Sequence, residues 1–288
     1  MTRAGVDIGT NTMRLLIVDD GGATLDRRVE ITGLGAGLDA TGELQPGGVE
    51  RTVAVLAWFG RLIGEHACSR VRVVATAASR DAANGDEFIA RATEALGHRP
   101  DVIGGEAEAR LAYAGAMAAF HPPADLTPLV VDIGGGSTEF VDATHAVSSR
   151  IGSVRITDRM LTERPVGFGQ LVNASRAIDA ALEAHPKPDV RYWMVGVAGT
   201  WTSIAGLLRR EYVVGGMHGT TVSRLELDRL VITLAATGFE ATAALPGLHP
   251  KRARVILGGA MIAREAMRRF DVPEVTVSES DLLDALVL

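Results

Sequence analysis

Apolar positions along the chain fall into two runs of the same order. Short apolar stretches near residues 4–8, 13–19 and 24–32, parted by Gly9-Thr10-Asn11 and Asp20-Gly21-Gly22, predict three strands joined by tight turns. Val49, Val53, Leu56, Phe59, Leu62 and Ile63 then recur at helical spacing. "RVRVVATAA" predicts a buried strand, in "SRDAANGDEFIARATEAL" Asp86 is the expected cap of the helix that follows it, and "PDVI" predicts a brief strand. Gly104-Gly105 opens the helix "EAEARLAYAGAMAAF", which Pro122-Pro123 ends. The second run repeats the pattern. "TPLVVDIGG", "STEFVDA" and "HAVSSRIG" predict strands, followed by the helices "RITDRMLT" and "FGQLVNASRAIDAALEAH". "RYWMVGV" is the next strand, and a helix begins at Ala198-Gly199-Thr200. Ser223 and Glu226 predict a capping box, "PKRARVILGGAMIAREAMRRF" a long helix and "PEVTVSE" a last strand before a short tail. The expectation is an α/β chain of two similar lobes, residues 1–121 and 122–288, each β3-α-β-α-β-α, with a ligand-binding cleft between them.

Composition narrows the class. The 288 residues suffice for two cores, and no apolar stretch approaches membrane-spanning length. Met1-Thr2-Arg3 leads directly into a strand, so a cytoplasmic location is expected, with no membrane partner. The single cysteine, Cys68, reads as a core filler. A net charge of −6 argues against a nucleic-acid partner. Among the 29 basic residues only Lys187 and Lys251 are lysines; arginine's planar fork suits phosphate, although a GC-rich genome would also yield this usage.

Candidate chemistry lies in the glycine turns. "VVDIGGGSTEF" places Gly134, Gly135 and Gly136 between Asp132 and a Ser-Thr-Glu cluster. Such a loop turns sharply and aims N–H groups at an anion, whereas a turn chosen for geometry alone is the alternative. "GVDIGTNTMRLLI" repeats the pattern with Asp7, Gly9, Asn11 and Thr12, and the duplication favours a phosphate chain held by two sets of backbone donors. Glu106 and Glu108, two apart at a helix start, point to different faces, so only one of them can serve such a site. Asp132 and Glu139 flank the glycine loop, and carboxylates beside an anion call for a cation, which predicts Mg²⁺ held mainly through waters.

The chain resembles the exopolyphosphatase/guanosine-pentaphosphatase (Ppx/GppA) family of the actin-like, sugar-kinase and Hsp70 ATPase superfamily. The resemblance covers nearly the whole chain and rests on "DIGTNTMRLLI", "VATAASRDAAN", "VIGGEAEARLAY", "DIGGGSTEF", "IGSVRITDRML", "GVAGTWTSIAGL", "MHGTTVSRLELDRL" and "PGLHPKRARVILGG". It implies two ribonuclease H-like (actin-like ATPase) lobes and an interdomain active-site cleft. It makes Glu108, directly before Ala-Arg-Leu, the general base, and assigns Asp132 and Glu139 to the metal with Asp7 as a third member. Asn11, Thr12, Arg80, Ser137 and the Gly134–Gly136 loop are expected to contact phosphate, and Gly199 and Thr200 to receive phosphate or a ribose at a helix N-terminus. Arg252 fits the family's Arg-Ala-Asp motif at its first two positions, but Arg254 replaces the aspartate. His218 is either a structural residue or a ligand.

The implied function is Mg²⁺-dependent removal of terminal phosphate from inorganic polyphosphate. Guanosine pentaphosphate is the rival substrate, and a non-catalytic polyphosphate or nucleotide sensor is the alternative class. A small-molecule kinase of the same superfamily would need an acceptor-binding insertion that the sequence does not suggest. The family's Ser-Asp-x-Gly-Leu-Arg-Glu-Gly segment is reduced here to "SESDLLDALVL". With no room for the helical extension of longer members, the expectation is distributive hydrolysis, and a homodimer is one assembly that would extend the groove.

Overall fold

Strand hydrogen bonding sorts the elements into two sheets of one design. The computed structural model describes residues 1–183, 190–213 and 215–288. They form two compact units: Met1–Gly115 together with Asp281–Leu288, and Ala116–Ser280. The predicted helix from Phe168 ends at Leu182; its last two predicted residues, Ala184 and His185, lie outside the described residues.

In the first unit, strands β1 (Arg3–Ile8), β2 (Thr12–Val18) and β3 (Thr24–Ile31) form an antiparallel meander. Helices α1 (Leu38–Thr41) and α2 (Pro46–Glu65) lead to β4 (Arg70–Ala75), which pairs parallel to β1. Next come α3 (Ala77–Asp81), α4 (Gly85–Leu96), β5 (Asp101–Val102) and α5 (Gly105–Ala119). The sheet order is β3-β2-β1-β4-β5, the ribonuclease H-like order.

The second unit repeats it with β6 (Thr127–Ile133), β7 (Thr138–Val141), β8 (Ala146–Ser149), α6 (Ser153–Met160), α7 (Phe168–Leu182), β9 (Tyr192–Val197) and α8 (Ala198–Arg209). It continues through β10 (Thr221–Ser223), α9 (Arg224–Ala236), α10 (Phe239–Ala243), α11 (Ile256–Arg269) and β11 (Glu274–Val277). Read from its meander, this sheet runs β8-β7-β6-β9-β11, with β10 added antiparallel at the far edge. The last helix, α12 (Leu282–Ala285), belongs to the first unit.

Packing explains the elements. Val6, Ile8, Leu15 and Ile17 of the first hairpin bury against Leu56, Phe59, Phe88 and Leu96, and each such side chain contributes about 1.5–3 kcal/mol. In the second unit Val131, Ile133, Phe140, Met194, Trp201, Leu257 and Met261 form the centre. Strand β1 alternates, with Ala4, Val6 and Ile8 facing the core, and it is buried almost throughout because the closing segment packs on its other face at Gly5. Edge strand β3 instead carries Asp26, Arg27, Arg28 and Glu30, which discourage pairing with another chain.

Several predicted elements are redrawn. The helix expected to follow Asp86 is α4, which starts at Gly85 with Asn84, not Asp86, as its N-cap, and the short α3 precedes it. Asn84 gives its side chain to the Leu44 backbone, accepting at 2.8 Å and donating at 3.1 Å, while Asp86 sits inside the first turn. The helix expected from Pro250 breaks into a 3-10 turn, Pro250–Arg252, followed by α11. The capping box at Ser223 and Glu226 is present. Among the described residues no helix is long and apolar enough to cross a membrane.

Candidate active site

The two glycine hairpins share one construction. In the second unit the Gly134 amide closes the turn on the Ser137 carbonyl at 3.0 Å. Behind the turn, the first residues of α6 engage every glycine carbonyl. Ser153 donates its amide to Gly134 at 2.9 Å, Val154 and Arg155 donate theirs to Gly135 at 2.9 and 3.2 Å, and the Arg155 Nε donates to Gly136 at 3.0 Å. In a trans peptide the C=O and the next N–H point in opposite directions. The amides of Gly135, Gly136 and Ser137 therefore face away from α6, as a row of donors suited to an anion. The first unit uses a loop for the same purpose. Thr10 accepts from Gly35 at 2.7 Å and Asn11 accepts from Thr32 and Gly33 at 3.1 Å, which turns the Asn11 and Thr12 amides outward from that loop.

Hairpin register separates the two sites chemically. Asp132 lies opposite Glu139 on β6 and β7, both deeply buried at 5% and 1% exposure, and Ser148 donates to Glu139 at 2.7 Å. Facing carboxylates repel, and a hard cation bound partly through water relieves that repulsion, so this pair fits Mg²⁺. The corresponding pair in the first hairpin is Asp7 opposite Arg14. Arg14 donates to Asp7 Oδ2 from Nε at 2.8 Å and from Nη2 at 2.7 Å, so this hairpin carries its own cation. Burial pushes the Asp7 carboxyl above its ordinary value despite Arg14, and Oδ1 has no hydrogen-bond partner. Among the described residues no three His, Cys, Asp or Glu side chains gather as an ion cage. The D-x6-E and D-x6-R spacings carried that difference, but Arg14 drew no notice in the sequence.

Glu106 and Glu108 part as helix geometry requires. Glu106 is exposed and pairs with Arg110 at 2.8 Å, one turn on. Glu108 is 8% exposed, and its Oε2 lies 4.0 Å from Arg80 Nη1. Arg80 is held at the end of α3 by a 2.8 Å bond from Nη1 to the Ile103 carbonyl, with Asp81 at 3.5 Å from Nε. The structure thus joins two expected site residues, the glutamate of α5 and the arginine of α3.

Gly199, Thr200 and Arg252 also come together. Ala198 takes a left-handed φ of 67° at the start of α8, a conformation costly for a non-glycine residue. A Cβ on Gly199 would overlap the Arg252 guanidinium, so the missing side chain lets the cation reach the helix N-terminus. The Thr200 hydroxyl donates to the Ile133 carbonyl at 2.8 Å and fixes α8 to the end of β6. Arg254 pairs with Asp158 at 2.7 Å. His218 stacks on Phe120 with centroids 4.4 Å apart and accepts from the Glu279 amide at 3.3 Å, a structural arrangement. Arg155, buried behind the glycine loop, had no signal in the sequence that set it apart from other helix arginines.

Two sheets of ribonuclease H-like order, each with a hairpin of outward amides, define an α/β protein of the phosphate-handling kind. The chain belongs to the Ppx/GppA phosphatase family, whose model matches residues 16–286, and is a phosphoanhydride hydrolase. It is 37% identical to exopolyphosphatase 2 of Mycobacterium tuberculosis over 99% of this chain and 97% of that one. Among solved structures, an exopolyphosphatase-like protein is 31% identical with a TM-score of 0.93, covering 99% of this chain and 96% of its own. The Ppx/GppA enzyme of Aquifex aeolicus is 30% identical with a TM-score of 0.82, covering 99% and 98%.

Proposed function

We propose that the protein is an exopolyphosphatase that releases orthophosphate from the end of inorganic polyphosphate. The observation that carries this reading is the match to exopolyphosphatase 2 along 99% of the chain. Glu108 takes the proton of the attacking water, and its burial beside Arg80 orients it for that task. The amides of Gly135, Gly136 and Ser137 hold phosphate oxygens, and those of Asn11 and Thr12 serve the same chemistry on the first hairpin. Gly199, Thr200 and Arg252 bind a further phosphate. Asp132 and Glu139 hold Mg²⁺, which when bound offsets charge on the phosphoryl oxygens. Phosphoryl transfer depends on positioning and charge neutralisation more than on covalent help, so no nucleophilic side chain is needed.

The test is phosphate release from short polyphosphate, long polyphosphate, guanosine pentaphosphate and ATP, measured side by side with Mg²⁺. Polyphosphate is expected to give the highest kcat/KM. A higher value for guanosine pentaphosphate would move the assignment to that substrate, and no release from any of the four would make the protein a binder.

A further inference from the structure

The closing segment of the chain meets the candidate active site twice. Asp281 caps α12, accepting the Leu283 amide at 2.9 Å on Oδ1, and its Oδ2 receives Arg14 Nη1. Arg14 therefore lies between two carboxylates, Asp7 on the first hairpin and Asp281 on the last helix. Both carboxylates are buried, so two charges set the position of Arg14, and loss of Asp281 leaves Asp7 alone to hold it. The second meeting is with α5. Gly115 stands seven residues after Glu108, two turns along the same helical face, and a Cβ there would overlap the Asp281 carbonyl. Only glycine lets the helix that carries Glu108 lie this close to the Asp281 backbone. The segment is anchored elsewhere as well: Asp284 pairs with Arg27 at 2.6 Å, and Leu286 packs over Gly5 of β1.

We propose that Asp281 is a positioning residue for hydrolysis, acting through Arg14 on Asp7 and through its backbone on α5, so that the C-terminal segment completes the first unit's part of the active site. The inference rests on the exopolyphosphatase reading, which gives roles to Glu108 of α5 and to Asn11 and Thr12 at the turn between Asp7 and Arg14. Asp281, Arg14 and Asp7 touch no reacting atom in this scheme; they fix the turn and the helix that carry those groups.

Asp281→Asn, Asp281→Glu and the parent protein are compared for kcat and KM on short polyphosphate and for thermal melting. Asp281→Asn is expected to lower kcat by up to about 10²-fold, the loss that a misplacement of about 1 Å can bring, with KM little changed. Asp281→Glu should restore most of that loss, because it returns the charge to Arg14. Unchanged kcat in Asp281→Asn, or equal losses of kcat and melting temperature in both variants, would overturn the proposal. Should Asp281→Asn fail to fold, Arg27→Gln loosens α12 from its outer side and should lower kcat with melting still cooperative; an unchanged kcat there counts against the proposal. A parent protein that releases no phosphate sinks the reaction assignment instead. The positioning claim is then read from NMR exchange of the Arg14 Nε–H, which should quicken in Asp281→Asn and which, if unchanged, overturns it.

Discussion

Glu108 and Arg80 approach to 4.0 Å on elements far apart in sequence, whereas Glu106 spends its charge on Arg110 within its own helix. Glu108→Gln keeps size and hydrogen bonding but removes the base, so kcat should fall by about 10²–10⁴-fold while polyphosphate binding persists. Steady-state kinetics and equilibrium binding check both parts; Glu106→Gln should leave kcat near the parent value. Facing carboxylates make a second prediction at this scale. Asp132→Asn and Glu139→Gln each remove charge from a buried cross-strand pair, so each should raise the Mg²⁺ concentration at half-maximal activity. Unchanged metal titrations would remove the pair from the metal site. That the glutamates split was legible from helical spacing alone. That the Asp7 carboxylate is engaged by Arg14 was not, because strand register decides which side chains oppose each other.

Backing segments give the elements their function. α6 turns the glycine carbonyls of the second hairpin, and the loop from Thr32 to Gly35 turns the Thr10 and Asn11 carbonyls of the first, so each hairpin presents amides on its other side. At α8 the same economy uses a missing side chain: Gly199→Ala should displace the Arg252 guanidinium, a flexible group, and raise KM for polyphosphate several-fold with little change in melting temperature. An unchanged KM would free Arg252 from substrate binding. Strand β9 offers a stability test. The Tyr192 hydroxyl donates to Asp142 at 3.1 Å; burial, then the Asp142 charge, push the phenol up to about 12. Since the folded value exceeds the ordinary 10.0, this contribution is fully present below pH 10 and is lost as pH rises towards 12. Tyr192→Phe should cost about 1 kcal/mol near neutral pH, and the difference between the two proteins should vanish in alkaline melts. The meander strands and the Ser223 capping box were readable because period and capping chemistry are local. The start of α4 at Asn84 was not, since Asn84 is drawn to Leu44, a partner distant in sequence.

On the scale of the whole molecule, the first unit is discontinuous: Asp281–Leu288 returns to it after the second unit is complete. Deleting those residues uncovers Gly5 of β1, leaves Arg14 with Asp7 alone and removes the Asp284 partner of Arg27. Hydrogen exchange should then quicken in β1 and β2 while β6 and β9 keep their protection, and uniform loss in both sheets would contradict a segment specific to one unit. A net charge of −6 sets an unfavourable background for the proposed polyphosphate substrate, so under that reading the positive and amide donors act locally. The sequence by itself determined the α/β class, the duplicated order of strands and helices, both glycine hairpins and the parting of Glu106 from Glu108 on α5. Each of these rests on local spacing: period two in strands, 3.6 in helices, glycine where a turn needs it. Only the tertiary structure decided that Arg14 neutralises one hairpin while Glu139 faces the other's aspartate, that Arg252 settles on Gly199, and that the closing helix joins the first unit. Those outcomes depend on register and on contacts between residues remote in the chain, and no local pattern encodes either.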